Sequence, residues 1–343
     1  MKILIGLSGG VDSAYAALKL KREGHDVEGA VLRMHEFTDV SAARTVAELL
    51  KIPIHIIDCT ESFEKKVKTY FCDEYSAGRT PNPCIVCNRE VKFKELVDYA
   101  RAHGFDRIAT GHYARVVALG DGDEARYAVA RGTDLSKDQT YMLYRLPQDV
   151  LSMLILPMAD MKKSEVREEM SLYSRLLGEK KDSQEICFIP DNDYASFVEA
   201  ERGTFPDGDF VDEEGNPLGR HRGIIRYTVG QRKGLGISLG YRTFVSRIDS
   251  ENNIIVLSRE GKPTDTLEIH DVVFSGMKTM DIGDIARLEV KLRYQAAPVG
   301  ATVEMMEKGR VSITLDSPAS FVTPGQSAVL YDGDTVMLGG FIS

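Results

Sequence analysis

The chain has 343 residues, 43% of them apolar and 28% charged, and a formal net charge of −9. That length suggests two or three domains, and the composition excludes a disordered, collagenous or low-complexity chain. A net negative charge argues against a non-specific nucleic-acid coat, no apolar run approaches the roughly 20 residues that span a bilayer, and Met1 leads directly into a strand-like segment; the expectation is a soluble, cytosolic protein with no signal peptide and no membrane attachment.

Lys2–Leu7 is apolar and β-rich, which predicts a strand. Asp12–Glu23 carries Ala14, Ala17, Leu18 and Leu20 at helical spacing and is stopped by Gly24. Val27–Leu32 and Ile54–Asp58 read as strands, and Ser41 as the cap of a helix through Leu50. Phe63–Tyr75 and Asn88–Ala102 read as helices, and Arg107–Thr110 as a fourth strand. Short strands alternating with helices predict a doubly wound parallel sheet with its ligand site at the carboxyl ends of the strands. Thr140–Glu201 is mainly helical in pattern, most clearly over Lys162–Leu176. From Gly203 onward turn residues multiply, and alternating segments follow at Thr243–Ile248, Ile254–Leu257, Ala286–Leu292, Ala301–Glu304 and Arg310–Leu315. The fold expected is α/β: an N-terminal doubly wound parallel-sheet domain with a helical segment over 1–200, a small central β-rich domain over 201–265 and a C-terminal antiparallel β-barrel over 266–343.

The first strand runs into Gly6-Leu7-Ser8-Gly9-Gly10-Val11-Asp12-Ser13 and then a helix. Glycines let the backbone turn tightly and approach an anion, and the helix amides and dipole favour phosphate there. The string is neither a Walker A motif nor the dinucleotide fingerprint, because neither Gly-Lys-Ser/Thr nor Gly-x-Gly-x-x-Gly occurs in it. A ligand-free βα turn is the bland alternative, and Asp12 is placed to organise Mg²⁺.

Five cysteines, Cys59, Cys72, Cys84, Cys87 and Cys187, are not a disulfide framework in a reducing compartment. Thr80-Pro81-Asn82-Pro83-Cys84-Ile85-Val86-Cys87 is expected to form an extended, proline-fixed loop, with Cys87 at the start of a helix where its thiolate is favoured. Cys187 lies in a separate string, Asp182–Ile189. Cys59 and Cys72 have no partner motif and read as small buried hydrophobes.

The phosphate string resembles the PP-loop of the ATP pyrophosphatase superfamily. Together with Gly78–Phe93, Ala109–Arg115, Lys137–Leu143, Asp182–Ile189, Tyr227–Gly236, Leu292–Tyr294 and Thr323–Gly340, it makes the whole chain similar to the bacterial tRNA-specific 2-thiouridylases of that superfamily. The resemblance implies ATP-dependent adenylation of a wobble-uridine 2-oxygen with Mg²⁺, followed by sulfur insertion. Cys187 would carry a persulfide and Cys87 would release its sulfur, leaving a Cys87–Cys187 disulfide or its equivalent. Met34 and Gly111 match nucleotide-contacting positions. Asn82, Pro83, Lys137, Asp138, Gln139, Arg293 and Tyr294 match tRNA-contacting positions, with His112 and Gln326 near the tRNA. The implied partners are tRNAs for Lys, Glu and Gln and a sulfur donor, either a cysteine desulfurase or a relay protein.

One departure stands out. The family's usual residue at position 84 is Asp, and here it is Cys84, beside the loop assigned to tRNA. Cys84, Cys87 and Cys187 could hold a [4Fe–4S] cluster with one open iron, against metal-free persulfide chemistry. Zinc would want a fourth ligand.

Between residues 220 and 247 the chain has Arg220, Arg222, Arg226, Arg232, Lys233, Arg242 and Arg247 and no acid. Interleaved Tyr227, Tyr241 and Phe244 could stack on bases or pack inward. Such a segment would position RNA through phosphates, and its bland alternative is a solvated hairpin face. Other readings are a different adenylating PP-loop enzyme, or a non-enzymatic RNA-binding or iron–sulfur protein.

Overall fold

A computed structural model describes residues 1–120, 125–179 and 186–343. Its first layer is a five-stranded sheet. The strands are β1 (Lys2–Gly6), β2 (Asp26–Arg33), β3 (Ile54–Asp58), β4 (Arg107–Ala109) and, after an intervening hairpin β5 (Arg115–Leu119) and β6 (Arg126–Ala130), the short β7 (Leu154–Ile155). The order is β3-β2-β1-β4-β7, with every pairing parallel. Ile3, Leu4 and Ile5 are fully buried, as expected of a strand covered on both faces. The expected doubly wound sheet is therefore present.

Helix boundaries depart from expectation for local reasons. The helix Val40–Leu50 is capped by Asp39, which accepts from the Ala42 N–H at 2.9 Å; Ser41 instead donates its hydroxyl to Asp39. The helical run from Thr60 to Ser76 contains a π-turn over Glu64–Lys68. The Thr80–Cys87 segment is not an extended loop throughout. Pro83 occupies the first helical position, where its missing N–H costs nothing, and helix Pro83–Cys87 continues through a second π-turn, Asn88–Lys92, into Phe93–Ala102. Helix Lys163–Tyr173 breaks at Ser174, whose backbone is extended, before Arg175–Glu179.

The later chain forms two β assemblies. β8 (Gly208–Val211), β9 (Pro217–His221), β10 (Phe244–Asp249) and β11 (Ile254–Ser258) make a sheet ordered β10-β11-β8-β9. It is not wholly antiparallel, because β11 runs parallel to β8. β12 (Thr264–Phe274), β13 (Ile285–Lys291), β14 (Val299–Glu307), β15 (Arg310–Ala319), β16 (Ser327–Asp332) and β17 (Thr335–Ile342) pair antiparallel in the order β12-β15-β14-β13-β16-β17, and β12 pairs with β17 to close a six-stranded barrel. Closure removes the exposed edges.

The hairpin β5–β6, which periodicity did not mark, sits within the first 200 residues yet adds to the barrel sheet through β17. The neighbouring segment Thr140–Arg145 locks that junction. Tyr141 Oη donates to the Ser327 carbonyl at 2.8 Å, Tyr144 Oη lies 3.0 Å from Ser327 Oγ, and both rings are fully buried. A Cβ on Gly339 would lie 2.6 Å from the Tyr144 ring, so only glycine admits it there.

Tyr144→Ala should lower stability by about 3–5 kcal/mol, the range for emptying a buried aromatic site. Tyr144→Phe should cost about 1 kcal/mol, one hydrogen bond. Urea unfolding curves of the three proteins check both values.

Candidate active site

A cavity of about 1040 Å³ opens at the carboxyl ends of β1, β2 and β4, where a doubly wound sheet receives ligands. The turn after β1 forms its floor. Gly9 has φ +72°, a left-handed conformation that favours glycine. Ser13 Oγ accepts from the Ser8 N–H at 3.2 Å and donates to the Gly10 carbonyl at 3.1 Å, which braces the turn. Helix Val11–Arg22 then begins with no side-chain cap at Gly10, leaving its first N–H groups for an anion.

Gly6, Leu7, Ser8, Asp12, Ser13, Met34 and Gly111, all expected at the nucleotide, line this cavity. Gly9, Gly10 and Val11 do not; Gly9 shapes the turn, and Val11 is buried in the helix core. The turn after β4 approaches the floor very closely. A Cβ on Gly111 would lie 2.7 Å from the Asp12 carbonyl carbon and the Ser13 nitrogen.

Asp12 is held by a residue that sequence reasoning missed. Lys163 Nζ reaches its two carboxylate oxygens at 2.7 and 2.6 Å, and Tyr113 Oη donates to it at 2.8 Å. Lys163 is nearly buried. One carboxylate beside a phosphate turn fits the habit of Mg²⁺, which takes one or two carboxylates plus substrate phosphates.

The thiols occupy three different settings. Cys87 is buried, and its S–H points to Met34 Sδ at 3.7 Å. It lies inside a continuous helix and not at a helix start, and burial pushes its thiol up to about 12, against the nearby Lys92 charge. The expected helix-terminus activation of Cys87 is therefore absent; Cys84 is the residue in the first turn, and it is exposed. Cys187 is exposed on the cavity wall, with its thiol raised by desolvation. The Asp182–Glu185 part of its string lies outside the described residues. Cys59 and Cys72 are buried thiols raised to about 12 and about 11 by desolvation, as small core residues.

Lys92 lines the same cavity, also unmarked by the sequence reading. The charge of its ammonium is felt by Cys87, Cys84 and Cys187. Burial, then the Lys92 charge, pushes His112 down to about 3, so this imidazole is neutral; its Nδ1 lies 2.8 Å from Thr110 Oγ1. Among the described residues no group of three or more His, Cys, Asp or Glu side chains could hold a metal ion. The three cysteines as arranged here do not fit a [4Fe–4S] cluster.

The residues expected at tRNA fall into several places. His112 and Gln139 line the cavity, with Gln139 accepting from the Tyr113 N–H at 2.9 Å. Asn82, Pro83 and Cys84 begin the cysteine helix. Lys137 ends the short helix Leu135–Lys137 nearby. Asp138 is buried, accepts from Thr140 Oγ1 at 2.7 Å and lies between Arg131 and Lys291 at 3.7 and 3.6 Å. Arg293 and Gln326 line a second cavity of about 300 Å³. Arg293 donates to the Phe321 carbonyl at 2.6 Å, and Gln326 donates to the Thr80 carbonyl at 2.9 Å. Tyr294 lies 6.1 Å from the ring of Tyr141.

In the basic segment Arg220, Arg226 and Arg247 pair with Asp209, Glu199 and Asp249. Arg222, Arg232, Lys233 and Arg242 are exposed and have no ion pair among the described residues. Tyr227 packs inward against Phe210 and His221, while Tyr241 is exposed with Arg259 over its ring at 4.0 Å.

A parallel α/β sheet with a glycine-rich phosphate turn at its carboxyl edge, followed by two β assemblies, defines a PP-loop type nucleotide-handling domain carrying β modules. Three family models match in series: a tRNA methyl transferase HUP domain over residues 1–191, a tRNA methyl transferase PRC-barrel domain over 195–259 and an aminomethyltransferase beta-barrel domain over 264–342. Relatives named tRNA-specific 2-thiouridylase MnmA are 43% identical in Acetivibrio thermocellus, over 99% of both chains, and 42% identical in Clostridioides difficile, over 99% of this chain and 98% of that one. The chain belongs to this family of MnmA tRNA-specific 2-thiouridylases. A solved 4-thiouridine synthetase–RNA complex with bound ATP aligns at TM-score 0.41 and 18% identity over 58% of this chain and 50% of that chain, too slight a likeness to support an argument. Among the described residues no helix is long and apolar enough to cross a membrane.

Gly111→Ala should weaken ATP and pyrophosphate binding by about 5- to 150-fold, since its methyl group must push the turn after β1 aside at a cost of about 1–3 kcal/mol. Calorimetric titration reads the loss, and tRNA affinity should be unchanged.

Proposed function

We propose that this protein is a tRNA uridine 2-sulfurtransferase that activates the wobble-uridine 2-oxygen with ATP and replaces it with sulfur. The observation that carries this reading is one cavity with a phosphate turn as floor and the Cys187 thiol on its wall. A carbonyl oxygen leaves poorly, and an adenylate leaves well. The uridine O2 attacks the α-phosphorus of ATP, and pyrophosphate departs into the turn and the free amides of helix Val11–Arg22. When Mg²⁺ is bound it neutralises charge on the phosphates, and Asp12 is the residue to hold it. The name methyl transferase attached to the family models fits this site less well, because alkyl transfer uses neither a pyrophosphate cradle nor a thiol on the cavity wall.

Sulfur then arrives as a Cys187 persulfide, loaded by a cysteine desulfurase or a relay protein. Its terminal sulfur attacks C2 of the adenylated base, the C2–O bond breaks, and AMP leaves with that electron pair. The Cys87 thiolate attacks the Cys187 sulfur. A Cys87–Cys187 disulfide forms, and the S–S electron pair goes to the base as 2-thiouridine. The sulfane sulfur is reduced, the two thiols are oxidised, and a thiol reductant of the cytosol resets them.

Wobble-uridine tRNAs for Lys, Glu and Gln are the proposed substrates. Arg222, Arg232, Lys233 and Arg242 supply the phosphate-directed charge. Cys84, His112, Lys137, Gln139 and Tyr294 contribute near the anticodon end, and the divisions 1–200, 201–265 and 266–343 act as adenylating, tRNA-positioning and barrel units.

Cys187→Ser and Cys87→Ser should each abolish thiolation of tRNA while AMP formation persists; Cys84→Ser should keep substantial activity. A thiol-affinity gel with a desulfurase present reads all three, and undiminished thiolation by Cys187→Ser would overturn the assignment. Arg232→Glu with Lys233→Glu should reduce the salt slope of tRNA binding by about two, one per lost phosphate contact. An equal slope in mutant and parent would return the segment to a solvated face.

A further inference from the structure

The cavity contains a cation with no carboxylate. The side chains acting on the Lys92 ammonium are the thiols of Cys87, Cys84 and Cys187, and no ion pair of Lys92 exists among the described residues. The two imidazoles that feel its charge, His35 and His112, are both driven toward the neutral form. A desolvated ammonium without an anion is costly. By contrast Lys163, the other lysine near this cavity, has its carboxylate in Asp12.

The backbone is bent to place it. In an ordinary helix, positions 87 and 92 point about 140° apart around the axis, because each residue turns about 100°. Here the intervening turn Asn88–Lys92 is π-helical, with the Phe93 N–H bonded to the Asn88 carbonyl in the i→i+5 pattern. A widened turn reduces that angle, and Lys92 lines the cavity, where Cys187 and His112 also lie. Single π-turns of this kind cost backbone geometry and recur where function needs a side chain re-aimed.

We propose that Lys92 is the positioning charge of the sulfur-transfer step, holding the sulfur anions of Cys187 and Cys87 over the cavity while they attack. It acts through the two thiols and transfers no group itself. The role answers a difficulty in the chemistry: Cys87 is buried and its thiol is hard to ionise without a neighbouring cation. The proposal rests on the sulfurtransferase reading above.

Lys92→Met, Lys92→Gln and Lys92→Arg test it in the full-length protein. The first readout needs no tRNA. Alkylation of Cys187 by iodoacetamide, followed by peptide mass spectrometry across pH 6–10, should be about tenfold slower at neutral pH in Lys92→Met and Lys92→Gln, with the profile displaced to higher pH, since one unit of thiol pKa is tenfold in thiolate. Lys92→Arg should restore the parent profile. The second readout is single-turnover sulfur transfer from persulfide-loaded protein to tRNA, expected to fall at least tenfold in the neutral variants while ATP affinity stays at the parent value. Identical alkylation profiles in parent and Lys92→Met would overturn the proposal. So would loss of ATP binding in all three variants, which would make Lys92 structural. An alkylation difference between parent and Lys92→Met, with a parent that never thiolates tRNA, would sink the sulfurtransferase reading and leave the charge effect of Lys92 standing.

Discussion

Two backbone turns meet at the carboxyl edge of the parallel sheet with no side chain between them. Gly111, after β4, sits so near Asp12 and Ser13, after β1, that even a methyl group would lie 2.7 Å from their backbone. Because β1 and β4 are neighbours in the sheet, this contact fixes the glycine turn after β1 to the segment after β4 that carries His112 and Tyr113. The cavity floor, the tether from Tyr113 to Asp12 and the wall bearing His112 are thus parts of one rigid corner. A corner of this kind can be preorganised for a pyrophosphate before any ligand arrives.

Charge divides the cavity into two ends. At the phosphate end, Lys163 neutralises Asp12 at bonding distance, and the uncapped helix amides face the opening. At the other end, the Lys92 charge acts on three thiols and helps drive the histidines beside it toward the neutral form. Burial works against ionisation at Cys87, while the neighbouring ammonium works for it. In the proposed reaction, activation and sulfur delivery therefore occupy one space but rely on different electrostatic partners.

The barrel is joined to the catalytic half through several kinds of contact. Tyr141 and Tyr144 bury their rings and satisfy their hydroxyls on Ser327. Arg145 donates to the Asp271 carbonyl at 2.9 Å, and the hairpin β5–β6 extends the barrel sheet. Closer to the site, the Thr80 N–H donates to the Pro324 carbonyl at 2.9 Å, and Gln326 holds the Thr80 carbonyl. Thr80 lies three residues before the helix that carries Cys84 and Cys87. The barrel thus braces the start of the cysteine helix itself, which gives a terminal β module a direct part in placing Cys84 and Cys87.

Much of this was legible in the sequence, because the signals involved are local. Strand β1, the glycine turn and the following helix depend on hydrophobic period and on residues that permit tight backbone, and both are read along the chain. The closed barrel followed from alternating segments in the same way, and the exposed arginines from an acid-free stretch. What tertiary structure alone decided concerns burial and facing. The hairpin β5–β6 became a barrel extension through pairing with β17, more than 200 residues later in the chain. Asp138, assigned to tRNA by resemblance, lies buried between Arg131 and Lys291. Cys87 lost its helix-start setting because the helix begins at Pro83, and Lys92, which lines the cavity, closes a π-turn that a regular helical period does not predict. Periodicity assumes a regular turn and a uniform solvent. A single wide turn breaks the first assumption, and a desolvated cavity breaks the second, so the sequence by itself determined the strands, the glycine turn and the candidate residues, and only the tertiary structure decided which charges those residues meet.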